Sequence, residues 1–297
     1  MENCLVTKLK SAVSDDSLSK IGELKVYHTR SDQASYYFTA MSTVAQDVTV
    51  KIDGVADSVV HMNANTRTII LFNAASIGAT SVAVFSDKYH IKYLQEGNFY
   101  CNLDDFKYND VLTIIESGHS GFTGDISSLP GTMEKINIQY SKHITGDISS
   151  VNSMPNLEKL SISGEGLYGN LANLQTNSHL YQFRIKNTSI EGNISNISRA
   201  FPNISELSCY NNQNFNGDIN SISSSNLANL SSIITMQLCN LGGSVNTLAL
   251  ASGVTKLNVA ENPNINGSRA TFKSVNSSNS SLQNDSNLNF ILTGVTA

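Results

Sequence analysis

The chain lacks tryptophan altogether and has only four cysteines and four prolines. Charged residues make up just 14% of its 297 residues, with a formal net charge of −5. Each scarcity removes a class of protein. Cys4, Cys101, Cys209 and Cys239 lie far apart without a C-x-x-C pair, which argues against a disulfide framework or a zinc knuckle and makes Cys209 a buried thiol. So few bases form no concentrated patch, so neither nucleic acid nor an anionic membrane is expected as a partner. No window approaches the about 20 apolar residues of a membrane span, and residues 1–10 lack the apolar stretch of a secretion signal. The product is therefore expected to stay in the cell that makes it unless a particle carries it out. The 40% apolar content is still ample for a core.

Catalytic chemistry is equally thin. The six histidines, His28, His61, His90, His119, His143 and His179, share no repeat position and no metal-ligand spacing. No cofactor, metal or catalytic residue is expected.

What the chain has is a repeat. Phe122-Thr-Gly124-Asp-Ile is followed by versions centred on Gly146, Gly169, Gly192, Gly217, Gly243 and Gly267, spaced 22, 23, 23, 25, 26 and 24 residues apart. Such a period indicates a stacked solenoid, with these glycines at structural turns. Upstream of each lies an L-x-x-L-x-L run: Met133/Ile136/Ile138, Leu157/Leu160/Ile162, Leu180/Phe183/Ile185, Ile204/Leu207/Cys209, Ile233/Met236/Leu238 and Val254/Leu257/Val259. Period-two alternation turns the last two apolar residues of each run inward, so each coil contributes one short strand to a parallel sheet.

The residues between them then face outward. This candidate binding face comprises Lys135, Asn137, Gln139, Lys159, Gln182, Arg184, Lys186, Glu206, Tyr210, Gln237, Lys256 and Asn258. Thr113, Ile115, Ser161, Ser163, Ser208, Thr235, Cys239 and Ala260 complete the outward positions. Glu206 is the single acid among them, which leaves no carboxylate pair for glycoside hydrolysis. Asp125, Asp147, Asn170, Asn193 and Asp218 form a ladder after the glycines. Hard oxygens could hold calcium, but short Asp and Asn side chains at turns more commonly bond nearby backbone amides.

The combination L-x-x-L-x-L followed by x-N-x-x-x-x-G-x-I resembles the leucine-rich repeat family. Leu257-Asn-Val259-Ala-Glu-Asn262-Pro-Asn-Ile265-Asn-Gly267 and the stretch from Leu207 through Asn212 to Gly217 carry it most closely. The resemblance covers about residues 89–297; it departs in coils that lack the asparagine and in those where Ile or Phe replaces Leu. An eighth, degenerate coil is expected before the first glycine, with Cys101 in the glycine place and Ile91 and Tyr93 inward. In the coil after it, Val111 and Ile114 fit, but Glu116 then lands on an inward position. Residues 268–287, rich in Ser and Asn, read as a loop or an enlarged last coil, followed by a final strand over 288–292.

Ahead of the solenoid, short alternating runs such as Val48-Thr-Val50-Lys-Ile52 and Thr68-Ile-Ile-Leu71-Phe predict a small β-sandwich or barrel. The expected fold is mainly β: an N-terminal segment over 1–21, an all-β domain over 22–94 and a solenoid over 95–297 with its last coil, 268–297, enlarged. Residues 1–10 with Ile21-Gly-Glu-Leu24 also resemble the start of short proteins of Bacteroides and of the crAss-like tailed phages that infect them. That resemblance implies a non-enzymatic virion display protein. Its N-terminal part would attach to other virion proteins, the assembly would be a homo-oligomer, and the solenoid would present a surface to host glycan or protein. The alternatives are a bacterial surface interaction protein and, less favoured, a glycan-degrading tailspike.

Overall fold

Runs of alternating apolar and polar residues become strands here because one face of each can be buried while the other stays wet. A computed structural model describes residues 7–8, 19–25, 36–52, 55–72, 81–86, 91–96, 101–117, 122–139, 141, 143–291 and 293–296. Packing divides the chain into two compact units, Met1–Ile144 and Thr145–Ala297, which are taken in turn.

Unit one begins with two antiparallel arrays. Five strands run in the order Thr7–Lys8, Val55–Met62, Gln46–Ile52, Ser81–Ser86 and Ser19–Lys25. Thr68–Phe72, Tyr36–Ser42 and Ile91–Glu96 pair antiparallel in the other. The segment read as an N-terminal anchor thus places Thr7–Lys8 and the start of Ser19–Lys25 in a sheet; its other residues lie outside the described ones. Pairing then changes sense, because Ile91–Glu96 also pairs parallel with Ile114–Ser117, which pairs parallel with Lys135–Ile138. The antiparallel strands cover the first coil, an end a solenoid would otherwise leave bare.

The first coils correct two expectations. Ile91 and Leu94 are fully buried, and Leu94 pairs with Ile115 in the inward row, whereas the side chain of Tyr93, expected inward, lies outside the described ones. In the next coil Leu112 and Ile115 are the buried residues, not Val111 and Ile114. Glu116 faces outward beside Lys135, and Ile115, expected outside, is inside. A slip of one residue exchanges the two faces of a strand. Cys101 does take the glycine place: it pairs with Phe122 as Gly146 pairs with Leu167.

Unit two stacks the strands Lys159–Ser163, Gln182–Lys186, Glu206–Tyr210, Ser231–Thr235, Gly253–Asn258 and Leu288–Asn289 in one parallel array. Leu160, Phe183, Leu207, Ile234 and Leu257 form one inward row and are buried to at least 99%. Of the expected run Ile233, Met236 and Leu238, Met236 is inward as expected, but its companion in the inward rows is Ile234, not Leu238. The pairing shifts between Ser232 and Ile233, Ser232 has φ of +63°, and Ile233 is left half exposed. One extra residue in a strand forms a bulge and restores the alternation a step later.

Each coil then passes through a second, shorter parallel ladder that contains the repeat glycine, and continues into a 3-10 turn or a short helix. All seven repeat glycines have left-handed φ, between +95° and +124°. At Gly192 the reason is steric as well as torsional: a Cβ would stand 2.7 Å from Oδ1 of Asn170 in the preceding coil. The Asp and Asn ladder caps the turns. Oδ1 of Asp147, Asn170, Asn193 and Asp218 accepts from the amide two residues on, at 2.8–2.9 Å.

A second polar ladder occupies the point where the chain leaves the long sheet. Fully buried Asn262 donates from Nδ2 to the carbonyls of Met236 (2.6 Å) and Val259 (2.9 Å) and accepts at Oδ1 from Leu241 N. Asn212 bonds Ile185 O and Thr188 in the same manner. Between these two coils the place belongs to Cys239, bridged to Asn212 and donating from Sγ to Cys209 O. Cys239, expected on the outer face, is therefore buried, as are Ala260, Ser161 and Ser163.

The last coil also departs from expectation. Its final strand is only Leu288–Asn289, joined by Gly294–Thr296 in the second ladder, and a helix spans Arg269–Val275. Ser268 caps that helix by accepting from Thr271 N, Phe272 is buried edge-on against Phe290, and Asn276 and Asn279 bond carbonyls of the coil before. No described helix is long and apolar enough to cross a membrane.

Candidate functional site

Within each unit the residues of the expected binding face lie on or just after the outward positions of its parallel strands, and none of the twelve is buried. In unit one Asn137 pairs with Glu116, Lys135 forms an ion pair with Glu116, and Gln139 follows the strand. Glu116 was missed in the sequence because Val111-Leu112 and Ile114-Ile115 offer two apolar registers. Only the buried pair decides between them.

In unit two, register places Lys159, Gln182 and Glu206 in one row, Ser161, Arg184 and Ser208 in the next, and Ser163, Lys186 and Tyr210 in a third. The side chains engage one another. Arg184 Nη2 donates to Glu206 Oε2 at 2.7 Å, Asn258 Nδ2 donates to Gln237 Oε1 at 2.9 Å, and Gln237 Nε2 donates to Glu261 Oε1 at 2.8 Å. The Lys159 ammonium lies 5.2 Å from the ring centroid of Tyr181, and that of Lys186 lies 4.9 Å from the ring of Tyr210. Tyr181, chiefly by hydrogen bonding, holds the Lys159 ammonium above its usual pKa. Tyr181 immediately precedes its strand, and a tally of alternate positions passes over it.

Among the described residues this arrangement offers charges and amides but no poised nucleophile or acid–base pair. Glu116 and Glu206, on these parallel strands, are each bonded to a base. Burial pushes the Cys239 thiol up to about 12 and Cys209 well above its usual range, so neither is a ready thiolate. His61 bonds Asp47 and His179 bonds Pro155 O, both at exposed positions, while His28, His90 and His119 lie outside the described residues. Among the described residues no three His, Cys, Asp or Glu converge on a metal site.

A cavity of about 300 Å³ lies apart from the sheet face, walled by Met154, Leu157, Leu180 and Phe201. Polar groups at its rim are already used: Asn152 Oδ1 accepts from Gln175 N, and Asn177 Oδ1 from His179 N.

The parallel strands, the inward rows and the polar ladder at the strand exits define a leucine-rich-repeat-like solenoid. No family model and no curated protein matches the chain. Among solved structures it is similar to a plant peptide hormone receptor, RGFR1 in complex with RGF2, at 16% sequence identity and a TM-score of 0.42, over 65% of this chain. The matched part spans 37% of that receptor chain.

Proposed function

We propose that this chain is a non-enzymatic interaction protein whose solenoid presents the outward face of its long sheet to a protein partner. The observation that carries this reading is the set of pairs across neighbouring coils: Arg184 with Glu206, Lys186 with Tyr210, and Asn258 with Gln237. Side chains held before a partner arrives lose less freedom on binding. A photo-cross-linking residue at Gln182, on this face, should capture a partner in the producing cells, whereas one at exposed Ala172, on a 3-10 turn, should not. Equal yields at both positions, or none at Gln182, would remove the reading.

The non-enzymatic part draws on the engaged carboxylates Glu116 and Glu206. Shortening of a capsular polymer incubated with the purified chain would overturn it in favour of the tailspike. The virion setting is a narrower form of the proposal, resting on the residues that resemble phage and Bacteroides proteins. Co-purification with particles, and a sedimentation mass of more than one copy, test its attachment and its homo-oligomer. A chain found on the bacterial surface without particles would favour the bacterial interaction protein instead.

A further inference from the structure

Three lysines on the outward face of unit two carry charge that no carboxylate among the described residues takes up in an ion pair. Lys159 and Lys186 stand over tyrosine rings, and Lys256 has no ion-pair partner among the described residues. Arg184 is different, since Glu206 neutralises it. The strands from Lys159–Ser163 to Leu288–Asn289 carry four bases, Lys159, Arg184, Lys186 and Lys256, against the single acid Glu206, in a chain whose net charge is −5. Glu158 and Glu206 act on Lys159 only through space, and Glu261 is occupied by Gln237. The face therefore complements an anion in a protein that otherwise repels one.

Resting on the reading of this face as a binding surface, we propose that it takes an extended acidic protein segment, with carboxylates on Lys159 and Lys186. Lys159 pairs with Gln182, four residues before Lys186 on the neighbouring strand. At about 3.3 Å per residue and about 4.8 Å between strands, the two lysine backbones are about 14 Å apart. An extended peptide rises by about 3.3 Å per residue, so acids four residues apart reach both. Ser161 and Ser163, closed off beside this path, add no bulk to it. The tyrosines argue for a peptide over a neutral glycan. Each ring has an ammonium group standing over it where the apolar face of a sugar would otherwise stack, and each ring holds its lysine in place for a carboxylate.

The test is fluorescence anisotropy of the full chain with labelled decaglutamate. Binding is expected, at least about fivefold tighter than to decaglutamine and weaker when salt is raised from about 50 to about 300 mM. Lys159→Gln with Lys186→Gln should weaken it about tenfold, at about threefold per exposed charge pair, and Lys273→Gln on the terminal helix less than about twofold. No decaglutamate binding, a double variant that binds like the parent, or tighter binding of dextran sulfate would each overturn the acidic-peptide assignment. If the cross-linker at Gln182 captures a partner while decaglutamate fails, this inference falls and the binding face stands. If both fail, both readings fall.

Discussion

Gly192→Ala tests the geometry on which the whole solenoid depends. Gly192 has φ of +117°, and an added Cβ would meet Asn170 Oδ1 at 2.7 Å, Leu171 N at 3.2 Å and Leu171 Cβ at 3.3 Å. An L-residue held in this sparsely populated region costs about 1–3 kcal/mol. Asn170 must also move, and its Oδ1 caps the turn by accepting from Ala172 N at 2.9 Å. Loss of such a cap adds about 1 kcal/mol, for a total of about 2–4 kcal/mol. Thermal unfolding followed by circular dichroism should show a fall in Tm of about 5–15 °C, at about 2–4 °C per kcal/mol. Gly192→Val should fall further, because its extra methyls overpack the same space. The cause is separable by a double-mutant cycle with Asn170→Gly, which removes the clashing atom and keeps a residue that caps tolerably. In that background Gly192→Ala should cost about 1 kcal/mol less, leaving strain alone. A Tm within about 2 °C of the parent, against the shift expected above, would refute the turn assignment. Strictly additive costs would refute the contact with Asn170.

The remaining predictions concern the buried polar ladder and its thiol. Asn262→Ala strips partners from Met236 O, Val259 O and Leu241 N and should lower urea stability by about 2–4 kcal/mol; a loss below about 1 kcal/mol would mean that water replaces the amide. Cys239→Asn restores the residue of the neighbouring coils and should stay within about 1 kcal/mol of the parent, whereas Cys239→Val should cost more because it cannot bond Cys209 O. Native Cys239, pushed up to about 12, should resist a thiol reagent at about pH 8 and react once urea unfolds the chain; rapid native labelling would place it at the surface. Its ordinary value is 9.0, so the unfolded thiol ionises first. The stability it contributes is full below pH 9 and is lost as the pH rises towards 12. The urea midpoint of the parent, relative to Cys239→Asn, should fall over that window and be flat below it.

Sequence resolved the fold wherever alternation admitted one register. Leu157, Leu160 and Ile162 are separated by polar residues, as are Leu180, Phe183 and Ile185, and all six are buried. It misled where apolar residues were adjacent. Val111-Leu112 with Ile114-Ile115, and Ile233-Ile234, each fit two faces, and only packing selects Leu112, Ile115 and Ile234. Cys239 was misplaced for a related reason: the strand ends at Thr235, and alternation counted past it continues onto a turn. The helix Arg269–Val275 had a visible start in Ser268, but the Ser- and Asn-rich stretch after it looked like loop. Asn276 and Asn279 are in fact buried because their amides serve carbonyls of the preceding coil. On the candidate binding face, alternation located Lys159 and Lys186 but not the tyrosine partner of Lys159. Side-chain direction across strands, not period, brings Tyr181 to it.

The division of labour within a coil explains why the outward face is where function can reside. Backbone groups at the two ends of each coil are served by dedicated side chains: Asn170 or Asp218 at the 3-10 turn, and Asn212, Cys239 or Asn262 at the strand exit. The exit needs only a short polar side chain that can bond a neighbouring carbonyl, so a thiol stands between two amides and the family pattern is broken without breaking the ladder. Inward rows supply the apolar burial. Lys159, Arg184, Lys186, Glu206 and Tyr210 join neither system; their contacts are with other side chains of the face, pairs that at exposed positions stabilise a fold by only about 0–1 kcal/mol each. Changing them leaves the coil intact, and on the parallel strands of unit two this dispensable face carries more bases than acids in a chain whose net charge is −5.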